Sequence, residues 1–437
     1  DSIDFGSMDI STLFRKLLVP TVLGMVFSAI FVITDGIFVG KGIGSDALAA
    51  VNITAPLFMI AAGIGLMFGV GGSVVASIHL SQGKRKAINI TQALVFSAIL
   101  ILIMSALCFY FVEPLGRFLG SSDKLLPYVI EYISWYVPFL VFYEILNIGM
   151  FYIRLDGSPN YAMMCNATAA ILNILLDYIF IFEFGWGMMG AAFATSLGTV
   201  VGGLMTLVYL MHYSHDLRLY RIKLSRKSLR MTFRNIGYMV KLGNSAFVSE
   251  ASIACMMFLG NYVFIRNLGE DGVAAFSIVC YFFPIIFMVY NAIAQSAQPI
   301  ISYNFGAGQP ERVRKALRLS LRTALICGIC FFILTTLCCR NIVALFIDRS
   351  YSAFDIAVNG IPYFGIGFIF FAINMIGIGY YQSIERGQRA TIITLLRGVV
   401  FMLIGFFVLP PILGVPGIWL AVPSAELLTT LYIIGIY

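Results

Sequence analysis

Runs of about 20 or more apolar residues recur along this chain without period-two alternation, and they leave few options for its fold. With 60% hydrophobic and 11% charged residues and a mean hydropathy of +0.93, the bilayer itself must be the solvent. Lipid offers no partner to exposed N–H and C=O groups, so only helices and closed barrels can cross it. The missing alternation excludes a barrel. The expected class is therefore an all-α integral membrane protein with no separate soluble domain.

Twelve spans are read, at about 13–38, 48–78, 88–112, 128–152, 160–183, 188–212, 236–265, 273–301, 317–339, 356–381, 390–410 and 416–437. Basic residues then test the topology. With the N-terminus inside, only Lys41, Arg117, Lys124, Arg266, Arg340 and Arg349 of the 28 fall outside. Arg15, Lys16, Lys84, Arg85, Lys86, Arg154, the eight of the central loop, Arg312, Arg314, Lys315, Arg318, Arg322, Arg386, Arg389 and Arg397 all count as cytoplasmic. That asymmetry satisfies the positive-inside rule and predicts two cytoplasmic termini in a cell (inner) membrane. The net charge of +7 follows from topology, so no nucleic-acid partner is expected. The lead before the first span is not a signal peptide.

The chain also repeats itself. At an offset of about 225 residues, Lys16 matches Lys241, Gly44 matches Gly269, Asp46 matches Asp271, Ser77 matches Ser302 and Gly83 matches Gly308. Each half holds six spans, so both enter from the same side. The expected domains are an N-lobe over 1–212, a basic linker over 213–235 and a C-lobe over 236–437. They form a parallel repeat about a pseudo-two-fold axis along the membrane normal.

Two aspartates, Asp35 and Asp177, lie inside these apolar stretches. A carboxylate at the bilayer centre costs about 2.5–3.5 kcal/mol on insertion scales, and residues kept against that cost usually bind or move something. Asn173 and Asp177, four apart, share one helix face. Carboxylate, amide and hydroxyl oxygens are hard ligands suited to Na⁺, and two close buried carboxylates equally suit the holding of a proton. The residues leave H⁺ and Na⁺ both open. Glu144, Glu250 and Glu426 are further intramembrane acids. Glu144 and Glu250 mark a possible second polar site, while Glu426 has no obvious partner in sequence. The eight cysteines nearly all fall in spans, where cysteine acts as a small hydrophobe. No haem or zinc pattern appears, and no cofactor is expected.

Asp35-Gly-Ile-Phe-Val-Gly40 with Gly44-Ser-Asp-Ala-Leu-Ala-Ala50, its second copy Arg266-Asn-Leu-Gly-Glu-Asp-Gly-Val-Ala-Ala-Phe276, and the helix ends Gln82-Gly-Lys84 and Gly306-Ala-Gly-Gln309 resemble the multidrug and toxic compound extrusion (MATE) family over essentially the whole chain. The resemblance implies two six-helix lobes around a V-shaped cavity, and export of organic, often cationic, compounds against H⁺ or Na⁺. It is nearer the DinF-like branch, whose N-lobe cation site maps to Asp35, Asn173, Asp177 and Thr195, with Asn147 for a fourth-helix asparagine. Pro20 corresponds to a hinge in the first helix, which is absent from the second copy because Ser245 stands there. A monomer handling small molecules is expected.

Two rivals are weighed. A flippase for lipid-linked saccharides would need a cationic central cavity, whereas the buried charges here read as acidic. An intramembrane aspartyl protease would need a Gly-Asp element, and no Gly-Asp dipeptide occurs. The chain is expected not to be an enzyme.

Overall fold

The computed structural model describes residues 3–84, 88–346 and 348–437, excluding the side chain of Ser45. Arg85 and Lys86, counted above as cytoplasmic, lie outside the described residues. All regular structure described is helical. The chain divides into two compact units, 1–243 and 244–437.

In the first unit, α1 (Ile10–Gly42) and α2 (Ser45–Ser81) are single long helices, joined through Gly44 at a φ of 135°. Only glycine takes that backbone without strain. Next come α3 (Ile88–Tyr110), a short α4 (Val112–Phe118), and α5 (Leu126–Tyr136) continuing through a 3₁₀ turn into α6 (Leu140–Leu155). Pro138 sits in that turn, where its missing N–H interrupts the helix ladder. The unit's last two spans are α7 (Pro159–Tyr178) and α8 (Gly187–Val208), each closing in a five-residue π-helical turn.

Small residues let α7 and α8 approach closely, as membrane helices without a hydrophobic drive require. A Cβ built on Gly198 would stand 2.7 Å from the Ala169 carbonyl and 3.4 Å from the Asn173 nitrogen. The basic segment after α8 is tied to the first unit. Asp156 accepts from the backbone N–H groups of His215, Asp216 and Leu217 at 2.8–2.9 Å and from the Tyr209 hydroxyl at 2.6 Å. Thr91 accepts from Tyr220 N, and Gln92 bonds both Thr232 and Asn235.

The helix α9 (Arg226–Gly306) spans 81 residues and is two helices merged across Gly269, where φ is 72° and ψ −157°. The second unit continues with α10 (Pro310–Leu337), short α11 (Cys339–Ala344), α12 (Ser352–Gly365), α13 (Gly367–Ser383), α14 (Gly387–Leu395), α15 (Phe401–Leu413), short α16 (Val415–Trp419) and α17 (Ala421–Ile436). The helices α12 and α13 form one span bent by 43°. The two limbs of α9, α10, the bent pair, the continuous α14–α15 and the shorter α17 accommodate the last six predicted spans. The lengths suit a membrane: nine described helices alone are long and apolar enough to cross one.

Candidate functional site

Asp35 and Asp177 meet inside the first unit. Asp35 occupies the last third of α1, Asp177 the end of α7, and their carboxyl groups are hydrogen-bonded to each other. Both are buried, Asp177 completely. Two carboxyl groups can share such a bond only if one carries a proton, because like charges this close in low dielectric repel strongly.

The neighbours order that pair. With its amide nitrogen turned to Asp177, Asn173 donates to Asp177 Oδ2 at 2.9 Å, and its oxygen accepts from Thr195 Oγ1 at 2.9 Å. The i, i+4 spacing aligns Asn173 with Asp177 on α7, and the Gly198 contact brings Thr195 of α8 within reach. Asp35 Oδ1 and Asp177 Oδ1 remain buried without a partner. A pair of orphaned acidic oxygens is a seat for a proton or a small hard cation. Among the described residues, no three His, Cys, Asp or Glu side chains converge, so the donor set is two carboxylates with an amide and a hydroxyl behind them.

Tyr132 of α5 belongs to the same group, although sequence reasoning missed it. Its hydroxyl bonds Thr195, and it lies in electrostatic range of both aspartates. Tyr136, one turn on, stacks against it with ring centres 5.9 Å apart and planes at 5°. The usable signal was the i, i+4 tyrosine pair in the span that also carries Glu144.

Other singled-out residues lie apart from the pair. Asn147, half-buried on α6, sits over Gly65 of α2 beside Glu144 and has no direct hydrogen bond to either aspartate among the described residues. Glu144 is fully buried, with both oxygens unpartnered. Pro20 is buried in α1, which runs through it without a break. Glu250 is half-buried on α9, in the second unit.

The second unit corrects one reading. Arg397, assigned to a cytoplasmic segment, is buried in the π-helical turn between α14 and α15. Its Nε lies 3.6 Å from Glu426 Oε1, and its guanidinium sits 4.7 Å over the Phe371 ring. Asn374 donates to Glu426 Oε2 at 2.6 Å and accepts from Thr430 at 2.8 Å. Glu426 therefore has a partner, supplied by a different helix. The signal was available, because Arg397 falls inside the span read at 390–410.

Comparison with known proteins agrees with this architecture. The chain is 27% identical to an FAD transporter of Shewanella oneidensis, over 97% of this chain and 93% of that protein. It is 25% identical to the multidrug export protein MepA of Staphylococcus saprophyticus, over 96% and 92%. Among solved structures, an outward-facing multidrug resistance MATE family transporter of the MOP superfamily superposes with a TM-score of 0.88 at 23% identity, covering 97% of this chain and 94% of that one. A MOP superfamily transporter from Pyrococcus furiosus gives a TM-score of 0.86, covering 98% and 95%. The MatE family profile matches residues 20–179 and 245–414, most of the chain, and this protein accordingly belongs to the MATE family, whose members are multi-pass membrane transporters and not enzymes.

Proposed function

We propose that the protein is a secondary active antiporter that exports organic compounds in exchange for H⁺ or Na⁺ by alternating access. The carrying observation is the buried Asp35–Asp177 contact, with one unpartnered oxygen on each carboxyl. Asn173, Thr195 and Tyr132 orient the pair. A proton shared between the carboxyls, or Na⁺ on the two Oδ1 atoms, neutralises charge that is otherwise stranded in a low-dielectric interior. Loading and unloading of that ion changes the energy of α1 relative to α7, and Pro20 gives α1 a point at which to bend. A ligand shifts such an equilibrium only through its different affinity for the two states.

The cargo follows from relatives at the level of class. MepA is named as a multidrug exporter and the Shewanella protein as an FAD transporter, so amphipathic drugs and flavin dinucleotide are the compounds to assay. The flippase reading gains no support, because the buried Arg397 already neutralises Glu426. The working arrangement is a monomer in the cell (inner) membrane with both termini in the cytoplasm.

Asp35→Asn or Asp177→Asn is expected to abolish coupled export from membrane vesicles while the protein still reaches the membrane in normal amount. Wild-type transport by either single variant refutes the assignment.

A further inference from the structure

A cavity of about 570 Å³ opens beside the start of α1 in the first unit, at the opposite end of that helix from Asp35. One wall comes from α1, through Arg15, Lys16, Val19 and Pro20, a second from the beginning of α7, through Ser158 to Tyr161, and Ile3 of the N-terminal lead borders it beside Gly157. Arg15 and Lys16 are exposed and form no ion pair among the described residues. Asp156, which precedes the lining residue Gly157, already accepts four hydrogen bonds from Tyr209 and the segment after α8. Asp4, next to the lining residue Ile3, is taken up by Gly6 N and Ser7 Oγ, so Arg15 and Lys16 stand at the opening without an ion-pair partner among the described residues.

The cavity leads onto an apolar track. Val19 is 55% exposed, followed along α1 by Leu23 at 44%, Val26 at 47% and Ile30 at 48%. Spacings of four, three and four residues align them on one helix face. Ile33 and Ile37 extend that face to the level of Asp35. A cationic opening continuous with an exposed apolar stripe matches a molecule that has an anionic head and a hydrocarbon tail.

From this cavity, basic pair and stripe we infer that the start of α1 holds an anionic phospholipid, with its phosphate on Arg15 and Lys16 and an acyl chain along Val19 to Ile30. A volume of this size admits a headgroup and exceeds the need of a free phosphate ion. The stripe is what favours a lipid over a soluble phosphate compound. The site adjoins Pro20 and bridges the two helices that bear the paired aspartates. Between the cavity and those aspartates, Asn166 of α7 donates to Gly24 O at 2.7 Å and Ser28 Oγ at 2.8 Å on α1. A bound headgroup therefore joins α1 and α7 at one end, with the carboxyl contact at the other.

The test is lipid retention by the purified full-length protein, read by native mass spectrometry with phosphatidylglycerol or phosphatidylcholine, with inorganic phosphate as a competitor. Phosphatidylglycerol is expected to bind preferentially. The pair Arg15→Gln and Lys16→Gln should weaken it roughly 10–30-fold, from about 1 kcal/mol per basic residue near an anionic surface. The control pair Arg226→Gln and Lys227→Gln should leave it unchanged. Equal loss in the two pairs, equal retention of the two lipids, or displacement by millimolar phosphate alone overturns the proposal. If the double variant fails to fold, each single variant carries the same test. Binding is read without transport, so failure here is distinct from failure of the aspartate site.

Discussion

Replacing Tyr132 by Phe removes one hydroxyl from the aspartate group and leaves the ring that stacks on Tyr136. Tyr132 acts on the pair through Thr195 and Asn173, so the substitution should loosen their orientation without deleting a carboxyl. A hydrogen bond of this kind contributes about 0.5–1.5 kcal/mol. Tyr132→Phe should therefore raise the half-saturating concentration of the coupling ion several-fold, with maximal transport and protein level retained. Ion-dependence curves in vesicles check this, and an unchanged curve removes Tyr132 from the group. Sequence pointed to the two aspartates because a carboxylate in an apolar run is conspicuous. It did not point to Tyr132, because the chain has 22 tyrosines and aromatic side chains in spans usually face lipid or neighbouring helices. Arg397 was misplaced for another reason. The positive-inside rule counts charges near span ends, and it cannot foresee that Glu426, some thirty residues on, supplies a buried counter-charge.

Among the elements, the α7–α8 contact bears most directly on the site. Gly198 faces the Ala169 carbonyl at a distance no Cβ tolerates, so Gly198→Val must push α8 away from α7. Thr195, one turn earlier, would move with it and leave the Asn173 side-chain oxygen without its donor. The variant should lose coupled transport and a few kcal/mol of stability, on the order of other overpacked cores. Thermal unfolding in detergent and vesicle transport read the two effects. A fully active, equally stable Gly198→Val protein would mean that the helices are not held by this contact. Span positions were legible from apolar run length, and Gly44 and Gly269 were paired correctly as turns between spans. The short helices α4 and α11 and the π-helical turns were not legible, since they come from tertiary packing and not from periodicity. Nor was the direct continuity of the central basic segment with the first limb of α9, because the charged residues from Arg226 to Arg234 read as linker.

For the whole molecule, the internal repeat and the charge asymmetry gave a membrane bundle of two six-span halves, and the MATE fold is the one that the comparisons find. The two halves differ in their buried charge. The first holds a carboxyl pair with unpartnered oxygens, and the second an acid neutralised by its own arginine. On this account an exchangeable ion has a seat in the first half, while Arg397 occupies the corresponding electrostatic role in the second. Purified protein in proteoliposomes, with a pH gradient and a Na⁺ gradient imposed one at a time, tests this most directly. The account predicts that at least one gradient drives cargo accumulation by the wild type and that neither drives it in Asp35→Asn. Accumulation by the variant equal to wild type, or a wild type indifferent to both gradients, contradicts it.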